Sequence, residues 1–310
     1  MRVLITGGAG FIGLNIVEKY QSLGHDVTVL DNLSNSHFSH KLNSAVVLHV
    51  GDVLDEKLLS HLVKSTDLVI HLAALGSVPR SLENPNKTFE VNVNGFNNIL
   101  NSIRELRKPL IWSSSSSVLG SLGSQGIEEN DQLLPISPYA ASKACCELLA
   151  RAYAKSFDLN ITTIRLFNVF GPYQSYKAEY AAVVPIFIQK ALKGASLSIF
   201  GDGKSVRDYT YVKDVAEIVY KLAESKRNLI HPLNIGFNRP IKTLELAEKI
   251  IKITSSKSKI DFLPVRRGDV EVSVNKSPHL RSFLPDSYST PIDTALKSTI
   301  AFNQALLGSK

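Results

Sequence analysis

The sequence has little cysteine and no long apolar run. Its two cysteines, Cys145 and Cys146, are neighbours in a stretch with a helical pattern. They are badly placed for a disulfide and too few for a structural zinc site, so we expect no metal and a reducing compartment, the cytoplasm. No segment approaches the roughly 20 apolar residues that cross a bilayer. The first apolar run reaches glycine within a few residues, which predicts neither a membrane span nor a signal peptide.

Charge of one sign is not concentrated in any tract. The formal net charge is +7, and the basic residues are spread along the chain. This spread argues against nucleic acid as a partner and favours anionic small molecules. With 310 residues, of which 44% are hydrophobic, the chain has the composition of a globular protein and a length typical of two domains.

Short β-branched runs alternate with longer helical patterns, which is typical of βαβ units and a parallel sheet. The predicted strands cover residues 2–6, 26–31, 46–50, 68–72, 110–114 and 161–166. The predicted helices cover residues 11–22, 56–64, 85–107, 139–157, 183–192, 212–224, 244–253 and 295–306. The rhythm loosens after residue 166. We therefore predict an α/β fold, a doubly wound parallel sheet with a smaller, discontinuous C-terminal lobe.

A glycine-rich turn joins the first predicted strand to the first predicted helix. Gly7, Gly10 and Gly13 permit a tight turn, close approach of the backbone to a pyrophosphate and close helix packing. Asp31 ends the second strand, where a carboxylate accepts hydrogen bonds from both hydroxyls of an adenosine ribose. An aspartate there repels a 2′-phosphate, which predicts NAD rather than NADP. The alternative is a glycine turn that only lets a helix pack on the sheet.

Asp52 and Val53 follow the third predicted strand. Their place at the carboxyl edge of a parallel sheet is near the expected position of the adenine. An aspartate at that position is equally an ordinary helix cap. Both interpretations of Asp52 stay open.

Tyr139 and Lys143 are four residues apart, so on a helix they share one face. A neighbouring ammonium and the positive ring of an oxidised nicotinamide both favour the phenolate. We therefore expect the pKa of Tyr139 to lie below its usual value of about 10, which suits a base. The same spacing occurs by chance on helix surfaces. The nearby glycine turn and serine-rich strand end favour the catalytic interpretation.

Eight segments carry a resemblance to a known family, and they occur in family order: residues 6–13, 71–74, 92–95, 113–120, 139–143, 165–172, 201–208 and 266–269. They resemble the extended short-chain dehydrogenase/reductases, and within them the nucleotide-sugar epimerases and dehydratases. Residues 75–81 and 180–185 look like those of UDP-N-acetylglucosamine 4-epimerases. The resemblance implies an NAD-binding Rossmann domain at 1–167 plus about 208–238. It implies a nucleotide-sugar-binding domain at 168–207 plus about 239–310.

The resemblance also implies roles for individual residues. Tyr139 is the expected catalytic base, Lys143 binds the nicotinamide ribose and tunes Tyr139, and Ser115 bonds the reacting sugar oxygen. Because five serines are consecutive, the alignment with the family's serine can shift by one residue in either direction. Ser114 and Ser116 therefore remain alternatives. Leu119 stands where the family usually has tyrosine. The expected cofactor contacts are Gly7, Gly10, Phe11, Ile12, Gly13, Asp31, Asn32, Asp52, Val53, Leu72, Ala73, Ala74, Asn92, Ser113, Tyr139 and Lys143.

Other positions match the family's substrate contacts. Asn168, Arg207, Arg266 and Asp269 match residues that hold the nucleotide diphosphate and its ribose, which suits a guanidinium fork. Ser273 matches a gatekeeper that is tyrosine in epimerases restricted to unacetylated sugars, and a serine leaves room for an N-acetyl group. The remaining expected contacts are Ser77, Ser115, Ser116 and Val183.

The residues beside the catalytic serine indicate the reaction. Related dehydratases have an Asp-Glu pair where this chain has Ser116 and Ser117, and a serine is a poor acid for a leaving hydroxyl. Oxidation at sugar carbon 4, rotation of the keto intermediate and return of hydride to its other face need no such acid. We therefore predict an NAD-dependent 4-epimerase that interconverts UDP-N-acetylglucosamine and UDP-N-acetylgalactosamine. A pocket of that size also admits UDP-glucose and UDP-galactose.

Several alternatives stay open. One is a UDP-glucose or UDP-glucuronate 4-epimerase, in which Arg80 or Lys177 binds the uronate. Others are a nucleotide-sugar dehydrogenase or reductase, and an NAD-binding sensor or scaffold. An apolar stripe and the helix with Tyr139 are similar to the helix pair at the family's dimer interface, which implies a homodimer, although burial within one chain remains the alternative. The stripe consists of Phe89, Val93, Phe96, Leu100 and Ile103.

Overall fold

The computed structural model describes residues 1–120, 127–225, 229, 231–265, 270–283 and 289–308. The strands are β1 (Arg2–Thr6), β2 (Asp26–Asp31), β3 (Val47–Val50), β4 (Leu68–His71), β5 (Leu110–Ser115), β6 (Ile161–Leu166), β7 (Val169–Phe170), β8 (Leu197–Phe200), β9 (Val206–Asp208), β10 (Thr210–Tyr211), β11 (Leu233–Ile235), β12 (Pro240–Lys242), β13 (Ile260–Leu263) and β14 (Val272–Ser273). The helices are α1 (Phe11–Ser22), α2 (Glu56–Lys64), α3 (Val78–Glu83), α4 (Pro85–Phe89), α5 (Gly95–Arg104), α6 (Pro138–Phe157), α7 (Val183–Leu192), α8 (Val212–Ser225), α9 (Thr243–Ile253), α10 (His279–Phe283) and α11 (Ile292–Gly308).

The central sheet is parallel and has the order β11-β6-β5-β4-β1-β2-β3. The chain moves outward from β1 to β3 and then crosses back to β4, so the strand order reverses beside β1. In open α/β sheets this reversal opens a crevice at the carboxyl ends of the strands, where ligands bind. The predicted Rossmann-type fold is confirmed.

Apolar residues cover both faces of this sheet. On one face, α1 and α8 contribute Ile16 and Val219 to a fully buried cluster. On the other face, α2, α5 and α6 contribute residues such as Leu59, Ile99 and Cys146. A separate cluster joins α7, α9 and α11 near the short sheets β12-β9-β14 and β13-β8. The late elements α8 and β11 therefore return to the large sheet.

The predicted helix at 85–107 is interrupted. A π-helical turn at Glu90–Asn94 separates α4 from α5, and α5 ends at Arg104 because Arg107 adopts a left-handed φ of 50°. Of the predicted apolar stripe, Phe96, Leu100 and Ile103 are buried within this one chain, whereas Phe89 is exposed.

The described helices include none that is both long and apolar enough to cross a membrane. Within the same described residues, no group of three or more His, Cys, Asp or Glu side chains is arranged to hold a metal ion.

Candidate active site

The turn between β1 and α1 is built from glycine because backbone atoms crowd it. A Cβ on Gly7 would lie 2.7 Å from the nitrogen of Ala73, and one on Gly13 would lie 2.3 Å from the oxygen of Gly7. Gly7 also has a positive φ of 71°, which favours glycine. The N-cap, Gly10, offers no side-chain acceptor, and the first turn of α1 has no acidic residue. The N–H groups there are therefore open to an anion.

A cavity of about 610 Å³ lies above this turn, a volume typical of small-molecule sites. Its wall is formed by the turn itself, the ends of β2, β3 and β4, and a segment at 173–182. The structure brings most of the expected cofactor contacts together here, namely Gly7, Gly10, Phe11, Ile12, Gly13, Asp31, Asn32, Asp52, Val53, Leu72, Ala73, Ala74 and Ser113.

Asp31 is held rigidly at the cavity by three donors. Its Oδ2 accepts a hydrogen bond from the nitrogen of Ala9 at 3.0 Å. Its Oδ1 accepts from the nitrogen of Leu33 at 2.8 Å and from Ser36 Oγ at 3.1 Å. A carboxylate has about four acceptor positions. Asp31 therefore keeps capacity for a ligand hydroxyl while its orientation is fixed.

Asn32 and Asp52 link the ends of β2 and β3, since Asn32 Nδ2 donates to Asp52 Oδ2 at 2.8 Å. Asp52 Oδ1 also accepts from the nitrogen of Leu54 at 3.0 Å, two residues along the chain. Asp52 thus stabilises a local turn and forms part of the cavity wall. It is not a helix cap, because the N-cap of α2 is Asp55.

Tyr139 and Ser115 meet where α6 begins beside the end of β5. Ser137 caps this helix by accepting from the nitrogen of Ala140 at 3.2 Å. Ser115 Oγ accepts from the nitrogen and hydroxyl of Ser117 at 3.2 and 2.9 Å. Its own proton remains available to the hydroxyl of Tyr139, whose pKa it lowers against the effect of burial. Ser115 is thus the serine of the 113–117 run that acts on the hydroxyl of Tyr139.

The neighbouring serines have other partners. Ser114 Oγ donates to Glu147 Oε1 at 2.5 Å, and the carbonyl of Ser113 accepts from Lys143 Nζ at 2.8 Å. Ser116 begins a short 3₁₀ turn.

The pKa of Tyr139 is raised rather than lowered. Burial of the hydroxyl is the main cause, and the hydrogen bond from Ser115 opposes it. Burial also lowers the pKa of Lys143. The sequence-based expectation of a lowered Tyr139 pKa is therefore wrong for the protein without its cofactor, because burial outweighs charge and the ammonium of Lys143 donates to Ser113.

Asn92 lies in the π-helical turn and is almost fully buried. Its Oδ1 accepts from the nitrogen of Leu75 at 2.8 Å, and its Nδ2 donates to Ser142 Oγ at 3.0 Å. Leu75 lines the cavity. Asn92 therefore ties the cavity wall to α6, and its amide is used within the protein instead of facing the cavity.

Two of the expected diphosphate residues, Asn168 and Arg207, lie together near β9. Asn168 has a left-handed φ of 36° and donates to the carbonyl of Asp208 at 3.1 Å. Arg207 donates to the carbonyls of Val270 and Glu271. Ser273 pairs in register with Arg207 across β14 and β9. The guanidinium of Arg207 is thus held by backbone oxygens beside Ser273, the residue expected to be the gatekeeper.

The other expected substrate residues fall into two groups, those at or beside the cavity and those outside the described part of the chain. Ser77 lines the cavity and caps α3 by accepting from the nitrogen of Arg80 at 3.2 Å. Val183 begins α7. It follows Ala182, which lines the cavity, but Val183 itself is not part of the cavity wall. Arg266 and Asp269 lie outside the described residues.

Gln174 was not identified from the sequence. It lines the cavity, and its Nε2 donates to the carbonyl of Val169 at 3.2 Å. Its buried Oε1 has no hydrogen-bond partner among the described residues. A ligand hydroxyl or amide would satisfy this oxygen. The one sequence signal was its place just beyond the motif that ends at Pro172.

Comparison with known proteins adds the chemical context. Residues 3–236 match the NAD dependent epimerase/dehydratase family. A UDP-N-acetyl-alpha-D-glucosaminuronate decarboxylase of Bacillus cytotoxicus is 35% identical over 273 residues, covering 86% of this chain and 84% of that protein. A UDP-N-acetylglucosamine 4-epimerase of Methanobrevibacter ruminantium in complex with UDP-N-acetylmuramic acid has a TM-score of 0.92 at 32% identity, covering 98% of both chains. A UDP-glucose 4-epimerase of Thermus thermophilus in complex with NAD has a TM-score of 0.88 at 32% identity, covering 98% of this chain and 100% of that one.

Proposed function

Because the chain belongs to the NAD-dependent epimerase/dehydratase family, we propose that it is a 4-epimerase that interconverts UDP-N-acetylglucosamine and UDP-N-acetylgalactosamine. The observation that carries this proposal is the pairing of Ser115 with Tyr139, in which the serine lowers the pKa of the phenol, with Ser116 and Ser117 next along the chain. In this proposal Tyr139 and Ser115 serve one sugar hydroxyl. Ser116 and Ser117 stand where a dehydratase would have the carboxyl groups that help to eliminate water.

The cavity fits the NAD that the family uses. Gly7 and Gly13 allow the tight turn in which no Cβ would fit, the N-terminus of α1 suits the pyrophosphate, and Asp31 keeps acceptor capacity for a ribose hydroxyl. Bound NAD would supply the redox chemistry, as acceptor and then donor of the hydride of sugar carbon 4. We assign Lys143 to the nicotinamide ribose.

In this proposal the protein's own groups handle the proton. Tyr139 takes the proton of the carbon 4 hydroxyl and later returns one to the same oxygen. Ser115 holds that oxygen in line with Tyr139. Arg207, Asn168, Arg266 and Asp269 hold the nucleotide diphosphate and its ribose, with Ser77 and Val183 beside the sugar.

The choice of a neutral sugar rests on the cations at the cavity. Of the Lys and Arg residues in its described wall, Arg80 pairs with Glu179 at 3.4 Å and Lys87 pairs with Glu90 at 2.9 Å. A sugar carboxylate would have to displace these pairings. This favours an uncharged carbon 6 over the uronates, including the substrate type named for the decarboxylase relative. Ser273, where a tyrosine would restrict the pocket, favours the N-acetyl sugar.

A homodimer and a cytoplasmic location stay predictions. Several exposed apolar side chains lie on or beside α3, α4 and α6, and a second copy could cover them: Leu82, Phe89, Leu148 and Phe157. Sedimentation measurements at several concentrations would test the dimer. Cys145 and Cys146 are both free thiols, which fits a reducing compartment.

The test is a substrate panel followed by proton NMR of the sugar anomeric positions. The protein with NAD is incubated separately with UDP-N-acetylglucosamine, UDP-glucose and UDP-glucuronate. We expect the galacto epimer from the acetylated sugar. Epimer from UDP-glucose alone would remove the Ser273 argument, and loss of carbon dioxide from the uronate would replace the epimerase with a decarboxylase. Bound NAD with no product from any sugar would favour a sensor.

A further inference from the structure

Three successive residues of β5 interact with three residues of α6 that are spaced four apart. The carbonyl of Ser113 accepts from Lys143, Ser114 donates to Glu147, and Ser115 lowers the pKa of Tyr139. Residues four apart share one face of a helix. Lys143 and Tyr139 belong to the catalytic group already described, whereas Glu147 has no role in it.

The carboxylate of Glu147 is buried, and both of its oxygens accept hydrogen bonds. Its Oε1 accepts from Ser114 Oγ at 2.5 Å and from Arg165 Nε at 2.9 Å. Its Oε2 accepts from the second guanidinium arm of Arg165 at 2.7 Å. Glu147 is 6% exposed and Arg165 is 3% exposed. Such a bidentate pair is directional as well as strong.

Arg165 connects this pair to the rest of the sheet. It stands directly opposite Ser114 in the parallel register of β5 and β6. Its remaining arm donates to the carbonyl of Glu129 at 3.0 Å. The side chain of Glu129 accepts in turn from the nitrogen of Asn234 on β11 at 3.1 Å. One buried network therefore spans three neighbouring strands and α6.

A buried ion pair is a weak source of stability, because the cost of removing both charges from water offsets their attraction. An apolar pair of similar volume would stabilise the same place at least as well. The contribution of the ion pair is to position α6, because it fixes this helix along its axis relative to β5. Tyr139 and Lys143 lie on the same helix and are positioned with it.

We propose that Glu147 is a positioning residue of the active site. Clamped by Arg165 and bonded to Ser114, it sets the register in which Tyr139 meets Ser115 and Lys143 meets the carbonyl of Ser113. The inference rests on the proposed function for its catalytic consequence. Its negative charge lies close enough to Lys143 to oppose the lowering of that pKa by burial.

The first test removes the contact between strand and helix while leaving the ion pair in place. Ser114→Ala should lower kcat by about tenfold or more, as expected for a small misplacement of reacting groups, with KM near that of the wild type and a loss of thermal midpoint similar to that in the control variant. Thr299→Ala is the matched control, since it removes a buried hydroxyl that donates to Ala295 in α11, away from this network. Wild-type kcat in Ser114→Ala would overturn the proposal.

The second test separates positioning from stability. Glu147→Leu combined with Arg165→Met replaces the ion pair with apolar side chains and is expected to keep a folded, NAD-binding protein. We expect kcat to stay at least about tenfold low in this double variant. Recovery of wild-type kcat together with the wild-type thermal midpoint would show that Glu147 only stabilises the fold.

A third readout does not depend on turnover. Glu147→Gln removes a charge that raises the pKa of Lys143, so Lys143 should lose its proton more readily and favour the phenolate of Tyr139 less. The phenolate absorbance of Tyr139 in the NAD-bound protein, taken as the difference from Tyr139→Phe, should therefore appear at higher pH in Glu147→Gln than in the wild type. An unchanged titration would contradict the positioning role. Because this measurement uses no sugar, failure of the proposed substrate would leave it intact.

Discussion

The ammonium of Lys143 donates to the carbonyl oxygen of Ser113 at 2.8 Å, two residues before the serine that contacts Tyr139. Lys143 is thereby anchored to the same strand end as the catalytic hydroxyls. Burial raises the pKa of Tyr139 and lowers the pKa of Lys143, so it favours the neutral form of each group. Burial therefore favours the protonated form of Tyr139, and the positive nicotinamide ring of bound NAD would favour the phenolate.

Removal of the Tyr139 hydroxyl should stop the reaction without unfolding the protein. We expect Tyr139→Phe to lower kcat by about a thousandfold, within the usual range for loss of a general base, while NAD binding by calorimetry is unchanged. Tyr153→Phe is the matched control on the same helix, because its hydroxyl bonds Asn101 at 3.0 Å on α5. Activity within a few-fold of the wild type in Tyr139→Phe would contradict the proposed base.

The ionisation of Tyr139 should depend on NAD. Since burial raises the pKa, the protein without NAD should show no Tyr139 phenolate below about pH 10. The positive nicotinamide ring should move the ionisation to lower pH. Absorbance titration of the wild type against Tyr139→Phe, with and without NAD, measures both. A phenolate at neutral pH in the NAD-free protein would be inconsistent with the raised pKa.

Asp31 should discriminate between NAD and NADP. Asp31→Asn removes the charge that repels a 2′-phosphate and places an amide near donors such as the nitrogen of Ala9. We expect about tenfold weaker NAD binding and a smaller preference over NADP, measured by calorimetry with both dinucleotides. Asp26→Asn, at the exposed start of β2, is the control. Equal NAD affinity in Asp31→Asn and the wild type would rule out the ribose contact.

Ser273 should set the size of the sugar pocket. It is 8% exposed and lies opposite Arg207, so a tyrosine there would fill space near the expected sugar. Ser273→Tyr should lower kcat/KM for UDP-N-acetylglucosamine by about tenfold or more while sparing UDP-glucose. The smaller sugar serves as the internal control. An equal loss for both sugars would indicate general damage and not gatekeeping.

Local patterns predicted most of the fold, and tertiary contacts account for the differences. The predicted helix at 56–64 matches α2 because Asp55 caps it, accepting from the nitrogen of Leu58. The π-helical turn at Glu90–Asn94 was missed because the contacts of Asn92 come from residues 17 and 50 positions away.

The site shows the same division. The cofactor turn was predictable because its glycines and Asp31 are close in sequence. The pairing of Glu147 with Arg165 joins a helix to a strand, and the raised pKa of Tyr139 depends on burial by the whole fold. The spacing of residues along the sequence therefore indicated neither the ion pair nor the raised pKa.

The most direct test of the central claim uses UDP-N-acetylglucosamine carrying deuterium at sugar carbon 4. The account predicts that the galacto epimer formed by the NAD-bound protein retains the deuterium at carbon 4, because the hydride that leaves is the one that returns. Epimer with hydrogen from water at that carbon, or product altered only at carbon 5 or 6, would contradict it.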